Sequence, residues 1–186
     1  MSLHLSGIIP IANYETDLNL SFPELLTPVN DGFNLIQKSV HECALAGCNT
    51  IWIVANDDMA PIIRKIVGDW VYDPVYYKRD MESKFYSQLR KEVPIYYVGI
   101  KPKDQNRRDS YGWSIIEGIH AAYMTSLKIS KWLTPEKYYI SFPFGLFDIY
   151  FIRQHRKLIR DKNKNLFFKY NGQSVVDNQY LPFTMT

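Results

Sequence analysis

Apolar positions along the chain follow two periods. Residues 6–12 are a short apolar run with a β-branched pair, Ile8 and Ile9, and read as a buried strand. From residue 33 apolar side chains recur at helical spacing, at Phe33, Ile36, Val40, Cys43 and Ala44, and Gly47 stops that helix. Residues 50–55 read as a second buried strand. A strand, a crossover helix and a strand make a βαβ unit, so these two strands should be parallel neighbours.

The same alternation continues. Asn56-Asp57-Asp58 reads as the cap of a helix over 59–68, with Pro61 in its first turn; a metal or ribose contact is the functional alternative for these three. Residues 70–77, rich in aromatics, read as irregular or extended, and residues 79–92 as a charged amphipathic helix. A third strand is expected over 94–100 and a polar loop over 101–109. Ser110 or Ser114 caps a helix reaching about Lys131, with Ile115, Ile119, Ala122 and Tyr123 inward. A fourth strand over 138–142 is broken by Pro143-Phe144-Gly145. A basic helix over 147–160 and a hairpin closed by Asn171-Gly172, pairing 167–170 with 173–176, complete the pattern; residues 177–186 show none. Strands alternating with helices predict a three-layer α/β/α domain with a mainly parallel, Rossmann-like sheet, spanning 1–186 as one unit. Ligands of such sheets bind beyond the carboxyl ends of the strands, which singles out residues 12–17, 56–58, 101–112 and 142–148.

Composition narrows the class. With 186 residues, 46% hydrophobic and 22% charged, the chain reads as one globular domain. Cys43 and Cys48 flank Gly47 and make poor disulfide partners on an intact helix; as isolated buried thiols they fit a reducing, cytoplasmic setting. No run approaches a membrane span. Charge is divided unevenly. Residues 1–60 hold Lys38 against seven acids, a net of −6, so the remainder carries +9 of the overall +3. The basic part is densest at Arg153, Arg156, Lys157, Arg160, Lys162 and Lys164; it reads as a solvated helix face, with nucleic acid or an acidic partner as the alternative.

Ile8-Ile9-Pro10-Ile11-Ala12, Pro23, Leu25-Leu26-Thr27-Pro28-Val29, Glu42-Cys43-Ala44-Leu45-Ala46-Gly47 and Ile51-Trp52-Ile53-Val54 occur in an order and spacing that resemble the sugar-nucleotide pyrophosphorylases. The likeness is greatest to the UTP–glucose-1-phosphate uridylyltransferases. Tyr111-Gly112-Trp113-Ser114 resembles that family's second Gly-rich, nucleotide-contacting turn, and the likeness covers about residues 5 to 150. It implies a nucleotide-diphospho-sugar transferase-like fold, a nucleotide or sugar phosphate as ligand, and Mg²⁺ as cofactor if the protein is active. The departures lie in the phosphate chemistry. Where the family has a Gly-rich loop with an arginine, and a lysine after the proline, this chain has Asn13-Tyr14-Glu15-Thr16-Asp17 and Glu24. A triphosphate needs close backbone approach and positive charge, which glycine and Arg or Lys supply.

The candidate residues follow. Asn13, Thr16 and Asp17 have hydrogen-bonding groups for a base or ribose, against the plain reading as a polar loop. Arg107 and Arg108, with Gly112 and Ser114 opening a helix, form the stretch best suited to an anion; a glycine turn with a serine cap is the plain reading. For the metal that the resemblance implies, Asp148 lies a few residues beyond the expected place after the fourth strand, and Asp177 is a second carboxylate. His4, His41, His120 and His155 have no metal spacing, and no G-x-S-x-G marks a hydrolase. The expected function is therefore nucleotidyltransferase-like with degenerate active-site motifs. Two alternatives stand beside it: a non-catalytic ligand- or protein-binding domain of the same fold, and a nucleic-acid-binding accessory protein.

Overall fold

The computed structural model describes residues 3–12, 20–77, 91–100, 104 and 110–186. Strand β1 (Leu5–Pro10) is buried along its whole length and sits inside a six-stranded sheet of order β5-β6-β4-β1-β7-β8. It pairs in parallel with β4 (Thr50–Ala55) on one side and with β7 (Lys137–Ile140) on the other. β6 (Glu92–Gly99) extends the parallel set beyond β4. The edges, β5 (Trp70–Tyr72) and β8 (Phe183–Met185), run antiparallel to their neighbours. A separate antiparallel pair joins β2 (Pro28–Asn30) to β3 (Phe33–Asn34). The first two predicted strands are thus parallel neighbours, and the chain has the mainly parallel α/β sheet that its pattern predicts.

Helix α1 (Leu35–Ala46) makes the crossover from β1 to β4. Its start is fixed by a capping box. The Asn34 side chain accepts from the Gln37 amide at 2.9 Å, and the Gln37 side chain accepts from the Asn34 amide at 3.2 Å. Its end is Gly47 in the left-handed region, at φ 88°. Ile9, Ile36, Val40, Ile51 and Ile53 form the core between α1 and the sheet. Gly7 lets the helix approach closely, since a Cβ there would lie 2.9 Å from the Cys43 sulfur. Helix α2 (Ala60–Val67) packs on this same face through buried Ile63. Helix α3 (Tyr111–Ile129) covers the opposite face, over Ile8, Val54, Tyr138 and Ile140. Among the described residues no helix is long and apolar enough to cross a membrane.

Several expectations needed correction. The basic segment is two short helices, α4 (Tyr150–Gln154) and α5 (Arg156–Ile159), that meet at His155. Two of its arginines point inward. Arg156 donates to the Ala44 and Leu45 carbonyls at the C-terminus of α1, at 3.2 and 3.3 Å, and forms a two-pronged pair with fully buried Asp73. Arg160 donates to the Gly47 carbonyl and, at 2.6 Å, to that of Leu3. The unpaired carbonyls at a helix end are a natural seat for a cation, and counting charges cannot reveal which way a guanidinium turns.

Residues 183–185, which show no sequence pattern, form β8 against β7. Of the predicted hairpin only a Tyr170–Gln173 bridge remains, around Asn171 (φ 50°) and Gly172 (φ 81°), because Phe167 pairs with Phe183 instead. Residues 70–72 are an edge strand, the third strand begins at Glu92, and Tyr123 is exposed. The helix predicted over 79–92 lies, up to residue 90, outside the described residues.

Removing one partner of a buried ion pair leaves the other charge uncompensated, at a cost of about 3–5 kcal/mol. Arg156→Ala is therefore expected to lower urea-unfolding stability by that amount. Arg153→Ala, on the exposed side of α4, is expected to change it by less than about 0.5 kcal/mol.

Candidate functional site

The parallel strands take the chain order β1, β4, β6, β7 but lie as β6-β4-β1-β7, so the sheet reverses its growth beside β1. α1 leaves β1 over one face and α3 enters β7 over the other, which opens a crevice at the carboxyl ends of β1 and β7. The described groups near it are Ala12, Asn56 to Asp58, Gly99, the start of α3, and the turn after β7.

At the end of β4 the sequence reading of a side-chain cap does not hold. The first amides of α2 are satisfied by the Asn56 carbonyl, which accepts from Met59 and Ala60 at 3.0 Å, and no side chain caps the helix. The Asn56 side-chain oxygen is buried without a hydrogen-bond partner. Such a group costs about 1–3 kcal/mol, so it is a standing acceptor at the crevice. Its neighbour Asp57 lies against β6, where a Cβ at Gly99 would come within 2.8 Å of the carboxylate.

On the other side of the crevice the chain leaves β7 through Ser141, Phe142 and Pro143, all buried. Phe142 packs edge-on against Tyr111 of α3 at 5.7 Å, and Tyr180 of the tail closes on both, at 5.6 and 6.1 Å. This turn is pinned from below by a polar chain inside the core. Lys38 of α1 donates to the Gly145 carbonyl and pairs at 3.1 Å with Glu42, which is fully buried. Glu42 accepts a 2.8 Å bond from the Tyr139 hydroxyl on β7. Burial, and after it the Glu42 charge, hold the Tyr139 phenol well above its ordinary pKa, so it stays the donor at neutral pH. Lys38, the one lysine of the acidic first third, is thus engaged inside the core.

The structure places the predicted residues as follows. Asn13, Thr16, Asp17, Arg107 and Arg108 lie outside the described residues. Gly112 is exposed in the first turn of α3 itself, and Ser110 is the N-cap, accepting from the Trp113 amide at 3.4 Å. Ser114 is buried under the helix. Asp148 accepts from the Tyr150 amide at 2.9 Å, and Asp177 accepts from the Ser174 amide at 2.9 Å and its hydroxyl at 3.1 Å. Each carboxylate closes its own local turn. Among the described residues no three acidic, histidine or cysteine groups converge. A cleft of about 590 Å³ opens outside the pinned turn, between Asn30 and Asp31 of the β2–β3 pair and Phe147 to Tyr150.

No protein-family profile matches the chain, and no curated protein sequence matches it. Among solved structures it is similar to a UDP-glucose pyrophosphorylase complexed with UDP-glucose, with a TM-score of 0.53 and 18% identity over 89% of this chain. The chain spans 56% of that protein's length. At that identity the likeness establishes the fold: this is a nucleotidyltransferase-like α/β fold. The family-like Glu-Cys-Ala-x-Ala-Gly run is accounted for by packing, with Glu42 held to Tyr139, Cys43 against Gly7, and Gly47 beneath Arg156.

Glu42→Ala leaves the Lys38 ammonium buried without its carboxylate, and an unfolding titration is expected to show a loss of about 3–5 kcal/mol. The triple variant Lys38→Met, Glu42→Leu, Tyr139→Phe is expected to recover most of it, because apolar side chains of similar size replace both charges and the hydroxyl that Glu42 accepts from.

Proposed function

We propose that the protein is a nucleotidyltransferase-fold protein with a degenerate active site, which binds a ligand of the nucleoside or sugar-monophosphate class at the carboxyl ends of the parallel strands. The observation that carries this reading is the buried, unpartnered side-chain oxygen of Asn56 beside that crevice. An acceptor of this kind suits a hydroxyl or amide donor on a ribose, sugar or base. Asp57 and Asp58 follow it, and no described residue there brings a cation. Two like charges about 4 Å apart repel by about 4 kcal/mol at an effective dielectric near 20, which counts against a triphosphate. Where the resembled family has a metal-binding aspartate after the fourth strand, this chain has Ser141-Phe142-Pro143 under a cluster of rings. Arg107 and Arg108, just ahead of α3, are the residues of the sequence suited to a single phosphate.

Titration calorimetry with uridine, UMP, glucose 1-phosphate, UDP-glucose and Mg²⁺–UTP tests the reading. One of the uncharged or monophosphate ligands is expected to bind at least about tenfold more tightly than Mg²⁺–UTP, a difference of about 1.4 kcal/mol. Asn56→Ala is expected to weaken that ligand by a similar factor without lowering stability, since the variant removes an unpaired buried oxygen. Submillimolar binding of Mg²⁺–UTP, or release of pyrophosphate from it with a sugar phosphate, overturns the proposal.

A further inference from the structure

The end of the sheet away from the crevice holds a cavity of its own. It lies at the amino ends of β4 and β6, on the face that α3 covers, and its volume of about 320 Å³ is within the range of small-molecule pockets. His4, just ahead of β1, forms part of its wall, with Thr50 and Trp52 of β4, Tyr96 of β6, and Ser126 and Ile129 at the end of α3. α3 reaches this corner with a small side chain, Ser126, and ends a turn later, so the space beside Trp52 stays unfilled. The aromatic wall is fixed on two sides. Trp52 is buried, its Nε1 donates to the Thr50 hydroxyl oxygen at 3.1 Å, and its ring stacks on that of Tyr96, its partner across the parallel strands, with centroids 4.4 Å apart and planes at 22°. Rings held in this way present a flat apolar surface at little entropic cost to a ligand.

His4 supplies the polar feature. Its Nε2 is buried and has no hydrogen-bond partner. Burial, then the Lys91 and Arg160 charges, hold the imidazole below its ordinary pKa against the opposing pull of Glu136, so the ring is neutral at neutral pH. A neutral imidazole nitrogen accepts a hydrogen bond in one of its two tautomers, and a buried acceptor left unmade is costly. The residues that line the cavity include no Asp, Glu, Lys or Arg, so a charged ligand finds no counter-charge there. We propose that this cavity binds an uncharged, flat aromatic molecule carrying an N–H or O–H donor. Its ring lies against the Trp52–Tyr96 wall, and its donor gives His4 Nε2 the partner that the chain withholds. The site is separate from the crevice, which opens at the other ends of the same strands.

Indole and 1-benzothiophene are the probes, two uncharged rings of nearly the same shape of which only indole has an N–H. Each is titrated into the full chain and followed by amide chemical shifts. Indole is expected to give saturable shifts at Thr50, Trp52, Tyr96 and Ser126, and to bind at least about threefold more tightly than benzothiophene, the worth of one net hydrogen bond. Thr125→Trp, on an exposed threonine of the lining, is expected to abolish binding of both probes with thermal unfolding unchanged. His4→Phe is expected to keep the fold, because it removes an unpaired buried nitrogen, and to erase the preference for indole. In the wild type the preference is expected to be full at about pH 8 and to fade toward about pH 5, as the ring takes up a proton and the acceptor is lost. That readout needs no variant. Shifts at Asn56 and Gly99 in place of Thr50 and Tyr96, or no saturation at millimolar indole, overturn the proposal. Equal affinity for the two probes overturns it as well, as does a preference that both His4→Phe and acid leave untouched.

Discussion

A carboxylate buried between α1 and β7 organises the turn that leaves the sheet beside β1. Glu42 holds Tyr139 on one oxygen and Lys38 near the other, and Lys38 in turn grips the Gly145 carbonyl. Three elements distant in sequence are tied at one point: the crossover helix, the strand beside β1, and the turn that leaves that strand. Any one of these groups alone would be costly to bury, and together they are paired only when the helix sits in its native register over the sheet. The second clamp, Arg156 on Asp73 and on the last carbonyls of α1, fixes the other end of the same helix. α1 is thus held along its length by charges that are largely buried.

These clamps make the sequence likeness intelligible as architecture. The Glu-Cys-Ala-x-Ala-Gly run serves packing, and the chain retains it; the groups that would neutralise phosphates serve chemistry, and Glu15, Asp17 and Glu24 stand in that part of the sequence. Fold and catalysis draw on different residues, so a fold can be kept while the groups that carry chemistry change. A deep-set amide oxygen with no partner, a ring-closed turn and acidic neighbours favour a ligand recognised by hydrogen bonds over one held by charge.

The βαβ unit was legible because its signals are local: helical spacing from Phe33 to Ala44, Gly47 after it, and two β-branched runs. β8 was not, because three residues at the end of the chain gain their structure only by pairing with β7. The direction of Arg156 and Arg160 was illegible for a similar reason, since their acceptors are carbonyls more than a hundred residues away. Tyr123 was assigned to the core because α3 is apolar on both sides, and periodicity cannot choose between two apolar faces. Asn56 was taken for a cap by residue type, whereas the backbone carbonyl does the capping and leaves the side chain over. Of the two serines expected to cap α3, Ser110 does so, which puts Gly112 in its first turn. The loop carrying Asn13, Thr16 and Asp17, and the pair Arg107 and Arg108, were singled out by sequence alone and stand as proposals.

The central claim is that a small hydrogen-bonding ligand sits in the crevice at the carboxyl ends of the parallel strands, beside Asn56. Amide chemical-shift mapping by nuclear magnetic resonance, during titration with uridine and then UMP, tests it most directly. The account predicts saturable shifts concentrated at Asn56, Asp57, Gly99 and Ser110 to Gly112, with the Asn56 side-chain amide among the largest. Shifts confined to Asp31, Phe147 and Asp148 around the outer cleft, or none at millimolar ligand, would contradict it.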